Sequence, residues 1–189
     1  NQFYANNRRV ISIAKKTKVG ADGLMVEIAR AMTTHPDDDF VMDPGNVRIL
    51  TGMNNAGWEK DMKDKAPGCF KEKIFHHGQL KNSDLCGLRD ALIIVDELDT
   101  GDKEFQVLHK TLDSSGMLNI EYMEEKNIRF VFISATMIKE LYHLYRWGNY
   151  HCLIQMTIPI SYISHKDFLD RNIIQEFYPL NTLENACRW

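Results

Sequence analysis

The chain has 189 residues, 44% hydrophobic and 26% charged, which suits one α/β domain with a substantial core. Its 23 Lys plus Arg against 26 Asp plus Glu give a formal charge of -3, which excludes a globally basic nucleic-acid binder and leaves only local patches for such a role. Cys69, Cys86, Cys152 and Cys187 are far apart, with neither C-x-x-C pair nor dense disulfide pattern, so reduced thiols in an intracellular protein are expected. No apolar run approaches the roughly 20 residues of a membrane helix, and no signal peptide is evident.

In chain order, Val10 to Ala14 predicts a strand, Lys15 to Gly23 a polar loop, and Leu24 to Met32 a helix with Leu24, Ile28 and Ala31 on one face. Pro36 and the following aspartates end that helix. Pro44-Gly45 then introduces a strand over Val47 to Leu50. Trp58 to Lys65 reads as helical or irregular, and Lys73 to His77 as a third strand. Ala91 to Val95 is continuously apolar, the pattern of a central parallel strand covered on both faces. Helices are expected over Glu104 to Leu112, Ile120 to Glu125 and Ile138 to Trp147, with strands over Arg129 to Ile133 and Leu153 to Ile158. This alternation predicts a mostly parallel, doubly wound sheet with helices on both faces.

The chemistry concentrates where the Ala91 to Val95 strand delivers Asp96, Glu97 and Asp99 at its carboxyl end, the edge at which open α/β sheets bind ligands. There one carboxylate can hold a magnesium ion on nucleotide phosphates while the next orients the attacking water. The bland alternative is an acidic turn after a buried strand. Downstream, Arg129 to Ile133 ends in Ser134-Ala135-Thr136, a second strand with small hydroxyl residues at its carboxyl end.

Taken together, Asp96-Glu97-Leu98-Asp99 and Ser134-Ala135-Thr136 resemble the D-E-x-D and S-A-T motifs of superfamily 2 helicases. The resemblance implies a RecA-like P-loop lobe over residues 1–160 that binds ATP and Mg2+. It implies that Asp96 is the metal ligand, that Glu97 positions water, and that Ser134, Ala135 and Thr136 couple hydrolysis to a second RecA-like lobe. Nucleic acid, DNA ahead of RNA, is the partner it implies, with no role for a membrane. Residues 161–189 read as the bridge to that second lobe, and both chain ends read as cuts. The lobe alone is expected to be inactive, in the cytoplasm or nucleus and possibly of viral origin.

A phosphate loop is then expected among Thr17, Lys18, Val19, Gly20, Ala21, Asp22 and Gly23. Against G-x-x-x-x-G-K-[ST], Lys15 replaces the first glycine, Ala21 the lysine and Asp22 the hydroxyl residue. Backbone amides at a helix N-terminus still suit a phosphate. Two explanations stay open for Ala21: a substitution made to trap an inactive motor, or a natural departure in which Lys16 or Lys18 supplies the charge. A basic loop without ligand is the plainer reading.

Thr51 and the amide of Gly52 resemble motif Ia, which touches a nucleic-acid backbone; a simple turn is the even alternative. Trp58 could stack on a base, but a lone tryptophan is more often core, and Gln2 could read adenine, although a glutamine at such a place usually has no role. On a strand His76 and His77 would face opposite ways, without metal-ligand spacing. Tyr142, Tyr145, Trp147 and Tyr150 read as packing, and Arg8, Arg9, Lys15, Lys16 and Lys18 as a small basic cluster. Two other classes remain: a noncatalytic scaffold that has lost turnover, and a metal-dependent nuclease built on Asp96, Glu97 and Asp99.

Overall fold

The structure is a computed structural model that describes residues 3, 7–17, 19–36, 41–53, 56–97, 106–135, 147–158, 160–174 and 182–187. Lys18, Leu98, Asp99, Thr136, Gln2, Tyr142 and Tyr145 lie outside the described residues, as does most of the helix expected over 138–147. The chain divides into two compact units, Asn1–Met156 and Thr157–Trp189.

In the first unit, six strands form one parallel sheet: β1 Val10–Ala14, β2 Val47–Thr51, β3 Ile74–His76, β4 Ala91–Asp96, β5 Ile128–Ser134 and β6 His151–Gln155. The strand order is β3-β2-β4-β5-β1-β6. The connecting helices are α1 Ala21–Thr33, α2 Ala56–Lys65, α3 Asn82–Leu85, α4 Val107–Ser114 and α5 Ile120–Glu125.

Alternation along the strands divides the core into two layers. Leu92 and Ile94 of β4, with Val131 and Ile133 of β5, pack with Met25 and Ala29 of α1 and with Trp58 and Met62 of α2. Ile93 and Val95, with Phe130 and Phe132, pack on the other side with Leu108 and Leu112 of α4 and Met123 of α5. A strand buried on both faces must be apolar at every position, which is why Ala91 to Val95 has no polar residue. The domain is therefore an α/β parallel sheet with helices on both faces, as the alternation predicts, and is consistent with the RecA-like fold that the resemblance implies.

Several boundaries differ from the sequence expectation. The helix expected from Leu24 begins at Ala21, because Gly20 turns the chain at φ 84° and its carbonyl accepts from Leu24 N. Ala21, Asp22 and Gly23 are thus the first helical turn rather than loop. The last strand is His151–Gln155, not Leu153 to Ile158, since its ladder with β1 starts at His151 opposite Val10. β3 ends at His76, and His77 begins a 3-10 turn, so the histidine rings do not point to opposite faces but lie 4.7 Å apart.

The end of the sheet away from the carboxyl edge is closed by polar clasps. Arg9 donates to Asn127 Oδ1 at 2.8 Å, and Asn127 Nδ2 donates to Asp90 Oδ1 at 2.8 Å. Arg129 Nη1 reaches the carbonyls of Phe3 and Arg8, both at 2.8 Å. Arg9 is buried and Lys15 is engaged with Asp96, so neither of these two members of the expected basic cluster presents a solvated charge.

Two buried histidines make stability pH-dependent. Burial, reinforced by His76, lowers His77 to about 4; burial, reinforced by Arg8, does the same to His151, whose Nε2 lies 2.8 Å from Ser12 Oγ. Both stay neutral in the folded chain while the unfolded chain takes up protons below pH 6.5, so stability falls as pH drops from 6.5 towards 4. The expected loss is about 1 to 2 kcal/mol per histidine at pH 5. Titration of the ring C–H resonances checks this, and midpoints near 6.5 would refute it.

In the second unit, Ser164 caps helix α6, His165–Asp170, by exchanging bonds with Asp167, whose Oδ2 accepts from Ser164 N at 2.6 Å. Helix α7 spans Leu183–Cys187. No helix among the described residues is long and apolar enough to cross a membrane.

Candidate nucleotide site at the carboxyl edge of the sheet

The carboxyl ends of β1, β4 and β5 and the start of α1 surround a cavity of about 480 Å³, within the usual size range of small-ligand pockets. Thr17, Val19, Gly20, Ala21 and Asp22 line one side and Asp96, Glu97 and Ala135 contribute from the strands. The two distant sequence segments singled out for phosphate and metal are therefore brought to one place. By helix geometry the first amides of α1 have no upstream carbonyl partner, and its N-terminus carries partial positive charge. A larger depression of about 660 Å³ beside β3 has no such convergence, and Lys63 and Glu59 on its rim pair with each other at 2.7 Å.

Asp96 is the last residue of β4 and is 1% exposed. Its carbonyl accepts from Gly52 N at 3.0 Å, and the next amide, Glu97 N, donates to Ile133 O at 3.0 Å, so neighbouring strands fix the acidic pair from both sides. Glu97 has φ 55°, a left-handed conformation costing a non-glycine residue roughly 1 to 2 kcal/mol. Strain of this kind clusters at functional sites.

The feature that sequence reasoning missed is Lys15. Its Nζ lies 2.9 Å from Asp96 Oδ1 and 3.2 Å from Glu97 Oε1, with the lysine side chain 9% exposed and that of Asp96 2%. The contact with Asp96 supplies charge without hydrogen-bond alignment, and Asp96 Oδ1 has no aligned donor. Burial pulls the Lys15 amine down, but the two carboxylates beside it, Asp96 first and then Glu97, outweigh it and hold the amine above its ordinary value. Burial raises the Asp96 carboxyl above its ordinary value, against the opposing pull of Lys15 and with help from the Glu97 charge. One positive charge thus faces two negative ones. The available signal was that Lys15 directly follows the last residue of β1; its partner became visible only with the strand order.

The remaining candidates separate clearly. Asp22 is not left to repel a phosphate unopposed, because Lys65 lies 3.1 Å from Oδ2 and the Trp58 indole N–H reaches Oδ1 at 3.3 Å. That same bond and a 6% exposure place Trp58 in the core, the commoner of its two readings. Ala21 is 8% exposed at the start of α1, and Lys16 is exposed. Thr51 is buried with Oγ1 accepting from Met53 N at 3.0 Å, and the Gly52 amide already serves Asp96. These bonds fit the simple-turn alternative for the pair, with the turn supporting Asp96. Ser134 is fully buried, its carbonyl accepting from Lys15 N at 3.0 Å, and Ala135 lines the cavity.

A magnesium ion held on phosphates needs only one or two protein carboxylates. Asp96 and Glu97 meet that requirement, and the oxygen of Asp96 without an aligned donor fits a cation. No group of three or more His, Cys, Asp or Glu suited to a metal occurs among the described residues. Comparison with protein-family models and with curated protein sequences found no match to this chain.

Proposed function

We propose that the chain is the ATP-binding lobe of a superfamily 2 helicase or translocase, acting on nucleic acid, DNA ahead of RNA, with a second RecA-like lobe. The observation that supports this most is the convergence of the α1 N-terminus with Asp96 and Glu97 in one cavity, across a sheet in which β5 separates β1 from β4. In this reading Asp96 holds Mg2+ and Glu97 orients water, while amides from Val19 to Gly23 bind phosphate. Bound Mg2+ would supply charge neutralisation on the phosphates. Ser134, Ala135 and Thr136 carry the coupling to the other lobe, whose arginines would stabilise transition-state charge. The lobe by itself is inactive and acts within a cell or a virus-infected cell.

The alternative is a scaffold that retains the fold without turnover, favoured by Ala21 where a phosphate-binding lysine belongs. Calorimetry of ATP binding with and without magnesium decides between them, comparing the chain with Ala21→Lys. Ala21 lines the cavity, so a lysine stem there starts at its wall. We expect at least tenfold tighter Mg-ATP binding in the variant. Absence of binding by either form at millimolar nucleotide would reject the motor reading in favour of the scaffold.

A further inference from the structure

Lys15 occupies the position between two carboxylates where a cation would sit, and it does so from the strand that leads into the candidate phosphate loop. Its Nζ is 2.9 Å from Asp96 and 3.2 Å from Glu97. The side chain is almost wholly buried. Its backbone is fixed because Lys15 N donates to Ser134 O, so any movement must come from the four-carbon stem. That stem is flexible and carries a compact ammonium with three donors. Glu97 Oε1 and Asp96 Oδ1 therefore have an internal counter-ion, although Asp96 Oδ1 still has no aligned hydrogen bond. Lys15 thus holds Glu97 by a hydrogen bond and Asp96 by charge alone.

We propose that Lys15 is a displaceable counter-ion: it closes the Asp96–Glu97 pair to divalent cations, and when a polyphosphate enters the cavity its ammonium swings to the phosphates and frees the carboxylates for the metal. This rests on reading the cavity as an anion and metal site. It assigns Lys15, rather than Lys16 or Lys18, as the charge that compensates Ala21. Three features meet here. Lys15 and Ala21 line the same cavity, the α1 N-terminus forms part of its wall, and the one ammonium meets both carboxylates at once. An ammonium and a divalent ion cannot share the space between two carboxylates, so metal affinity and Lys15 occupancy must oppose each other. A phosphate oxygen offers the ammonium a charge-assisted partner of similar strength to the one it leaves.

The test uses the whole chain and two probes, Mn2+ alone and inorganic tripolyphosphate in EDTA. Electron paramagnetic resonance should show Mn2+ binding at least tenfold tighter in Lys15→Met than in the unaltered chain, and Asp96→Asn added to Lys15→Met should abolish that gain. Calorimetry should show tripolyphosphate binding at least tenfold weaker in Lys15→Met. Equal Mn2+ affinity with and without Lys15, or tripolyphosphate binding indifferent to it, overturns the proposal. Lys15→Gln, which keeps a polar group for the carboxylates, serves if the methionine variant does not fold. The Mn2+ comparison involves neither ATP nor a second lobe, so failure of the motor reading leaves it interpretable.

Discussion

Lys15→Met is expected to destabilise the chain by about 2 to 4 kcal/mol at neutral pH, because it strands a buried carboxylate beside another one. The side chain of Asp96 is 2% exposed and that of Glu97 26%, so Asp96 carries most of the cost and Glu97 retains partial hydration. Asp96→Asn in the same background removes the stranded charge and should recover most of the loss. The pair should therefore be strongly non-additive in a double-mutant cycle. The pH dependence has a definite sign. Burial already raises the Asp96 carboxyl, and loss of Lys15 removes the group that opposes this. A carboxyl raised above its unfolded value favours folding at low pH, so the Lys15→Met deficit should shrink on acidification and be fullest near neutrality. Urea denaturation at pH 7 and pH 5 measures both. A deficit that grows in acid would mean that Asp96 is not the group responsible.

Phe130→Ala should cost about 3 to 5 kcal/mol, the range for deleting a buried aromatic ring. Phe130 is fully buried at the middle of the sheet, paired in register with Val10 on β1 and Ile93 on β4. Its ring lies 5.5 Å from that of Phe132 on the same layer, with Leu108, Leu112 and Met123 in the surrounding cluster. Interiors are close-packed and relax only in part, so collapse into the cavity is restricted. Equilibrium denaturation checks the value. A loss below about 1 kcal/mol would argue that β5 is not the inner strand between β1 and β4.

How much of this was legible in the sequence depended on the range of the interactions. Val10–Ala14 and Ile120–Glu125 occur where periodicity placed them, because an apolar run between polar breaks, and Asn119 capping Tyr122 N, are local signals. The acidic pair was legible for the same reason. The start of α1 was not, since it depends on Gly20 adopting a positive φ that a pattern of residue types does not reveal. Lys15 was read as a departure from a loop pattern because its partners lie more than 80 positions away and reach it only across β5. Thr51-Gly52 stayed open between a phosphate contact and a turn because the claim of Asp96 on the Gly52 amide comes from the neighbouring strand. His77 was placed on a strand that stops one residue earlier, its pairing with β2 spanning only Ile74 to His76.

The insertion of β5 between β1 and β4 sets the working width of the molecule. Neighbouring strands stand about 4.8 Å apart, so the tips of β1 and β4 face each other across roughly 9.6 Å, a slot with β5 as its floor. Nothing attached to β1 can touch Asp96 unless it is long, and Lys15 has the length. A shorter basic group at that position would fall short of Asp96. Ser134 at the end of the floor strand is fully buried and small, which keeps the slot clear. Two tetrahedral groups side by side would fill the same width, so the spacing of three backbones, rather than any one side chain, limits the size of what this edge can grip.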